Sequence, residues 1–408
     1  MKIAIIGGGA AGLTAALGAS KGPREDIHID IYEQNSDVGK KILASGNGRC
    51  NISNSELGPH KYHGKDPHFV TYALKRFGYS EFERFVHRLG FFLHKTVDGR
   101  VYPLSNEARC VQEALRRAVI LRGANILTNR RIVELKRVQN SFFVKSEAGV
   151  ERYDRVLVAT GSPAAPQLGG TIEGMRLAQS MGHNIVEPYP TLVGLHLAGR
   201  VHERMSGVKI PSRLTLYVDG RAAKRCEGDL LFTRYGISGF ATLDISTEAS
   251  WYLSQKKGVV VGVSLLPDYD RQAVLAMLQR VVKSAPDLTL KELMQGVLPH
   301  KVVTELLKFT KSDPSVLARS VDAKSLRRLA STVVDWRFSV VQTHGFKHAE
   351  TAGGGVLTAE VDARSMESKI VPGLFFAGEV LDIVGERGGY NLHWAWASGH
   401  LAGEGLVR

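Results

Sequence analysis

Six residues near the start of the chain, Gly7-Gly8-Gly9-Ala10-Ala11-Gly12, match the spacing G-x-G-x-x-G, with Gly7, Gly9 and Gly12 in the glycine positions. Residue types in this pattern suit one task, which is holding a pyrophosphate. The first glycine permits a tight strand-to-helix turn, the second lets the backbone approach the phosphates, and the third lets the helix pack close to the sheet. The helix start then offers unpaired N–H groups and the positive end of a dipole to the anion. Glu33 follows about twenty residues later, where an acid can accept hydrogen bonds from ribose hydroxyls. The elements needed to place these residues are present. Lys2 to Ile6 is an almost wholly apolar strand, Leu13 to Ala19 are helix formers, and Ile27 to Tyr32 reads as a second strand ending at Glu33. A wholly apolar strand is expected where a parallel sheet is covered on both faces.

Three further segments favour FAD over NAD. Gly39-Lys40-Lys41 through Gly46-Asn47-Gly48-Arg49 supplies a second glycine-rich loop soon after the ribose-binding acid. Val156-Leu157-Val158-Ala159-Thr160-Gly161 is an apolar strand running into a turn, as in flavoproteins of the glutathione-reductase type. Gly373-Leu374-Phe375-Phe376-Ala377-Gly378-Glu379 is a late strand ending in Gly-Glu that resembles the closing motif of FAD proteins, and the resemblance implies that its acid bonds the ribityl chain. Gly388-Gly389-Tyr390-Asn391 then opens a helical, apolar stretch to Leu406. Its N-terminus is expected to face the flavin edge that gathers negative charge on reduction. Ala10, Ala11, Gln34, Cys50, Asn51, Ile132, Asp382 and Leu392 complete the set expected at the cofactor. In flavin chemistry the ring transfers the electrons and the protein positions and tunes. Arg49, Tyr390 and His393 are the candidates for a catalytic role. The Arg49 guanidinium could hold an anionic group bidentately. His393 reads either as a proton donor or as an ordinary hydrogen-bonded histidine. Cys50 reads as a small buried filler sooner than a redox group.

Ala44-Ser45-Gly46-Asn47-Gly48-Arg49-Cys50-Asn51-Ile52-Ser53-Asn54 resembles the Ser-Gly-Gly-Gly-Arg-Cys-Asn signature of the YhiN/BaiN-like bacterial flavoproteins. Tyr235-Gly236-Ile237-Ser238-Gly239, Thr351-Ala352-Gly353-Gly354-Gly355, Met366-Glu367-Ser368-Lys369, Gly378-Glu379-Val380-Leu381-Asp382 and Gly388-Gly389-Tyr390-Asn391-Leu392 resemble its later signatures, in order. The resemblance implies an NAD(P)/FAD-dependent oxidoreductase, some members being described as aminoacetone oxidases. Asn47 stands where glycine is usual, and Ile383-Val384-Gly385-Glu386-Arg387 departs from the usual Asp-Gly-Tyr-Thr pattern.

Cofactor motifs at both ends of the sequence make the middle an insertion. The fold class expected is α/β, with a Rossmann-like FAD-binding domain from residues 1–190 and 348–408. A β-rich inserted domain is expected over 191–267 and 332–347, and a small helical subdomain over 268–331. Short apolar and β-branched runs (Thr191 to Leu197, Arg213 to Val218, Gly228 to Phe232, Gly258 to Leu265) read as strands. Arg271 to Val282, Leu290 to Gly296, Lys301 to Phe309 and Ala323 to Ser331 have helical periods. Thr332 to Lys347 returns to a strand pattern. Substrate is expected between the insert and the cofactor domain.

Composition narrows the class. The chain has 408 residues and 44% hydrophobic residues, with no apolar run of the ~20 residues a membrane helix needs. Ile3 to Ile6 leads straight into the glycine turn, unlike a signal peptide, so a cytoplasmic location is expected. Three scattered cysteines and no Cys-x-x-Cys exclude a disulfide framework and a dithiol redox centre. No second G-x-G-x-x-G domain is visible, so any NAD(P)H must dock without one. His344 and His348 stand four apart in a strand-and-loop segment and do not read as metal ligands. The net charge of +13 favours anionic partners, but no nucleic-acid motif accompanies it. The function expected is two-electron redox chemistry on a small molecule. A flavoenzyme acting on RNA, and a flavin sensor or electron-transfer protein, are the alternatives.

Overall fold

The computed structural model describes residues 1–20 and 26–408. It divides into two compact units, Met1–Tyr189 with Glu350–Arg408, and Pro190–Ala349.

The first unit is built on a five-stranded parallel sheet. Its order is Leu374–Phe376, Arg155–Val158, Lys2–Ile6, His28–Tyr32 and Asn125–Leu127. The strand Lys2–Ile6 is central, and Ile3, Ala4 and Ile5 have no exposed surface. That explains why its side chains do not alternate: both faces of the sheet are covered. The helix Ala10–Ala19 packs along the sixteen-residue helix Tyr390–Gly405, joining residues from both ends of the sequence. The approach is backbone to backbone. A Cβ on Gly399 would lie 2.4 Å from the Ala11 carbonyl oxygen, and one on Gly403 would lie 2.3 Å from that of Ala15. A smaller antiparallel sheet of Ser53–Asn54, Arg100–Pro103 and Leu93–Lys95 stands beside the start of that second helix.

The second unit is a closed six-stranded barrel. Around the barrel the strands run Leu195–Leu197, Gly236–Ser238, Arg221–Phe232, Lys209–Val218, Val259–Ser264 and Trp336–Thr343. Closure leaves no free sheet edge. The helix Phe240–Ser254 packs against five of these strands. Helices follow at Arg271–Ser284, Leu290–Gln295, His300–Phe309 and Ala323–Val334. Their starts are sequence-encoded: Asp270 and Asp322 accept from the amides of Ala273 and Ser325, and Thr289 with Glu292 forms a capping box. These helices do not form a separate body, contrary to the subdomain expected over 268–331. Leu278, Leu293, Leu306 and Leu329 belong to the same core as the barrel residues Leu214, Val261 and Phe338. The reason is that the helix Ala323–Val334 packs on the barrel strands Val259–Ser264 and Trp336–Thr343 while the other helices pack on it and on one another, so one core runs through both.

Candidate functional site

The glycine turn separates two demands. Gly7 has φ +116°, and a Cβ there would lie 2.4 Å from the Ala159 carbonyl oxygen. A Cβ on Gly12 would lie 1.9 Å from the Gly7 carbonyl oxygen. Both glycines serve the protein's own packing. Gly9 does not: its φ of −84° suits any residue, and a Cβ there would meet nothing within 4 Å. The space in front of Gly9 opens onto the start of the helix Ala10–Ala19, whose first amides have no intrahelical partner and no side-chain cap. This is the cradle a pyrophosphate needs, so the residues fit the cofactor the motif implies. Ala10 is half-buried and Ala11 is buried.

Glu33 ends its strand inside this turn. Its Oε2 accepts from the Gly8 amide at 3.1 Å, and its Oε1 accepts from Asn35 N at 2.8 Å and Asn35 Nδ2 at 2.7 Å. Gln34 donates to the Gly169 carbonyl at 2.7 Å, and Lys40 to Asn35 Oδ1 at 3.2 Å. Ala159, Thr160 and Gly161 follow the adjacent strand Arg155–Val158. The Thr160 hydroxyl is buried with no hydrogen-bond partner and lies against Gly174 in the helix Glu173–Ser180.

The second glycine-rich loop follows the short helix Lys40–Ala44. Gly46, Asn47, Gly48 and Cys50 all take positive φ (58°, 56°, 82° and 60°), so the loop is a chain of left-handed turns. Arg49 is exposed at its tip, its guanidinium 5.2 Å from the centre of the Tyr102 ring. Both line an open pocket of about 460 Å³ with His94 and Arg100. Lys41 reaches Glu379 at 3.0 Å, tying this loop to the late Gly-Glu turn 338 residues away. Glu379 also accepts from the Ala352 amide at 3.0 Å, and Gly378 N donates to Ser398 Oγ at 2.9 Å.

The helix Tyr390–Gly405 starts at Gly389, whose φ is +98° and where a Cβ would lie 2.1 Å from the Ser53 carbonyl oxygen. Asn51 holds the start. With its amide turned to pair, it accepts from Gly389 N at 3.1 Å and donates to Ser53 O at 3.1 Å. Asn391 clamps the preceding loop by accepting from Gly385 N at 2.7 Å and donating to Gly385 O at 2.8 Å. Tyr390 packs edge-on against Tyr62, with burial pushing its phenol up to about 12. Leu392 is half-buried on the first turn.

The structure corrects the proton-donor reading of His393 and places Cys50, Asp382 and Ile132 in the interior. His393 has no exposed surface, bonds Ser53 Oγ at 2.8 Å and the Phe77 carbonyl at 3.0 Å, and is pushed down to about 4 by burial. With both nitrogens engaged it serves structure, not proton donation. The Cys50 side chain is unexposed, its thiol pushed up to about 12 by burial, which agrees with its reading as a small buried filler. Asp382 is 1% exposed and accepts from Lys65 N at 2.9 Å, while burial raises its carboxyl above the usual range. Ile132 is buried in a separate antiparallel sheet of Ile132–Val138, Ser141–Ser146 and Gly149–Tyr153. Sequence reasoning missed Asn35, Ser398 and the Ala352 amide. A polar residue in an otherwise apolar helix was the available signal for Ser398. Among the described residues no group of His, Cys, Asp and Glu could hold a metal, and no helix is long and apolar enough to cross a membrane.

A parallel sheet with an open glycine turn, an acid at the next strand end and a helix start supplied by the far end of the sequence define a FAD-binding oxidoreductase fold. The chain belongs to the HI0933-like protein Rossmann domain family, which matches residues 1–405. A similar relative, 34% identical over 98% of both chains, is the 3-dehydro-bile acid delta(4,6)-reductase of Clostridium scindens. The ribosomal RNA dihydrouridine synthase of Haemophilus influenzae is 31% identical over 99% of this chain and 98% of its own. Among solved structures, a 3-ketosteroid-delta4-(5alpha)-dehydrogenase from Rhodococcus jostii shares the fold at a TM-score of 0.52 and 14% identity, covering 100% of this chain and 96% of its own.

Proposed function

We propose that this protein is a FAD-dependent reductase that saturates a carbon–carbon double bond conjugated to a carbonyl. Two relatives spanning nearly the whole chain bear names for reductions that share this chemistry. A 3-oxo steroid with 4,6 double bonds and a uracil ring look unalike, yet each has an alkene polarised by a neighbouring C=O. The observation that carries the reading is the start of the helix Tyr390–Gly405. It is sixteen residues long, has no side-chain cap and no acid in its first turn, and so presents a positive dipole end without internal neutralisation.

Gly9, Ala10 and Ala11 would hold the pyrophosphate, and Glu33 the ribose. Lys41 and Glu379, joined as an ion pair, would hold the middle of the cofactor. Bound FAD supplies two-electron hydride chemistry. The helix start at Gly389–Asn391 stabilises negative charge beside it, and Asn51 and Asn391 keep that start fixed. NAD(P)H serves as the electron source by docking transiently.

The test is anaerobic mixing of the chemically reduced holoprotein with a 3-oxo-4,6-diene steroid and, separately, with uridine or a uridine-containing RNA. At least one should restore the oxidised flavin band, with product two mass units heavier. A protein that oxygen reoxidises but no conjugated carbonyl does would overturn the reading.

A further inference from the structure

The barrel unit carries an arrangement of rings that the cofactor site does not use. Tyr235 and His344 stack with centroids 3.9 Å apart and planes at 11°, and His344 stacks on His348 at 4.0 Å and 26°. His196 joins from the side, 4.9 Å from Tyr235, with its Nε2 hydrogen-bonded to His344 Nδ1 at 2.8 Å. Barrel register produces this cluster. His196 lies opposite Gly236 on one neighbouring strand and opposite Gln342 on the other, so residues far apart in sequence meet at one end of three strands. The platform is also stiff. Gly194 lies beneath Tyr235, where a Cβ would be 2.6 Å from the phenol oxygen, and the His344 amide bonds the Gly194 carbonyl at 2.8 Å. Burial first, then the neighbouring imidazoles of His348 and His196, holds His344 below the ordinary imidazole range. The stack is half-buried at Tyr235 and His344 and exposed at its His348 end.

A second, independent observation concerns charge. Residues 190–349 hold 23 Lys and Arg against 14 Asp and Glu, a net +9 of the chain's +13, although they are well under half of it. Exposed Arg234 precedes Tyr235 and exposed Lys347 precedes His348. On the helix Ala323–Val334, exposed Lys324, Arg327 and Arg328 share the face opposite buried Leu326, Leu329 and Ala330. A preformed ring stack with an exposed end, on the more basic unit, matches what single-stranded RNA requires: a π face for a base and cations for its backbone.

We propose that the Tyr235–His344–His348 stack, braced by His196, is a base-stacking site for single-stranded RNA on the barrel unit. The inference rests on the reductase reading only in making a uracil-bearing strand the substrate class; the binding itself is independent of turnover. The probe is a fluorescein-labelled, uridine-rich single-stranded RNA of twelve nucleotides, with the FAD-loaded full chain and anisotropy as the readout. Wild type should bind, and binding should weaken steeply with salt. His348→Ala should weaken RNA binding about tenfold, the loss expected for one stacked base. Its flavin content and its binding of heparin, a polyanion without bases, should stay unchanged. His348→Tyr should restore RNA binding. The site is overturned if wild type does not bind the RNA, or if His348→Ala binds RNA as wild type does. It is equally overturned if RNA and heparin binding fall together. Failure of the reductase reading has a different signature, a reduced flavin that no conjugated carbonyl reoxidises whatever the RNA binding.

Discussion

At the scale of single residues, the glycines of the opening turn have different reasons to be glycine, and substitution can separate them. Gly9→Val leaves the protein's own packing untouched, because its Cβ direction is empty and its backbone is extended. The variant should fold with the thermal midpoint of the apoprotein yet purify without FAD, read as the ratio of flavin to protein absorbance. Gly12→Ala should instead lower stability by about 1–3 kcal/mol or more, because its Cβ cannot coexist with the Gly7 carbonyl. Equal flavin content in wild type and Gly9→Val would remove the pyrophosphate from this turn. His393 gives a pH signature. Burial depresses its folded pKa to about 4, so between pH 6.5 and 4 the unfolded chain takes up a proton that the folded chain refuses. Stability therefore falls as pH falls through that window, by roughly 3 kcal/mol in full, and the loss is complete below the folded pKa. Urea melts at pH 7 and pH 4.5 should show a smaller acid loss in His393→Gln than in wild type. An unchanged loss would mean that other groups set the acid limit.

At the scale of elements, the two helices that join the ends of the sequence are held by small residues. Gly403→Val would drive a side chain into the Ala15 carbonyl, and Gly18 meets the His400 carbonyl in the same way, at 2.8 Å from a notional Cβ. Separating the helices displaces the start of Ala10–Ala19, so the substitution should lower the urea midpoint by an amount worth about 1–3 kcal/mol or more and reduce flavin retention with it. A yellow variant with an unshifted midpoint would show that the helices tolerate separation. The sequence was legible where local pattern and tertiary role agree. The strand Lys2–Ile6, the glycine turn and the helices near 271, 290, 301 and 323 carry their own periodicity, and the helices near 271, 290 and 323 their own side-chain caps. It was not legible where burial erases the pattern. The helix Phe240–Ser254 buries Thr242, Ser246, Thr247 and Ser250 beside Ile245, so no polar stripe marks it. The strand expected from Thr332 begins only at Trp336, because the preceding helix runs on to Val334. The site was legible as motifs, whereas the engagement of His393 by Ser53 and Phe77, and the rings at 196, 235, 344 and 348, depend on registers that no local window contains.

At the scale of the whole molecule, the number of nucleotide-binding frames limits how electrons arrive. Among the described residues there is one parallel sheet of more than two strands, centred on Lys2–Ile6, and its glycine turn is the one the FAD motif occupies. The remaining sheets are antiparallel or two-stranded, and the barrel presents no strand end with a glycine turn opening a dinucleotide crevice. If a reduced nicotinamide is the electron source, as proposed, a second frame of this kind for its pyrophosphate is not found among the described residues, and its encounter with the flavin should be collisional. In anaerobic stopped-flow experiments, the rate of flavin bleaching should rise in proportion to NADPH or NADH concentration into the millimolar range, with little discrimination between the two. The basic surface makes one further demand on this behaviour. The nicotinamide nucleotides are anions, so the second-order constant should fall as salt rises, by screening over a Debye length of about 8–10 Å near physiological ionic strength. A hyperbolic dependence saturating at micromolar NADPH would sink the argument, because it requires a built nucleotide site within this chain.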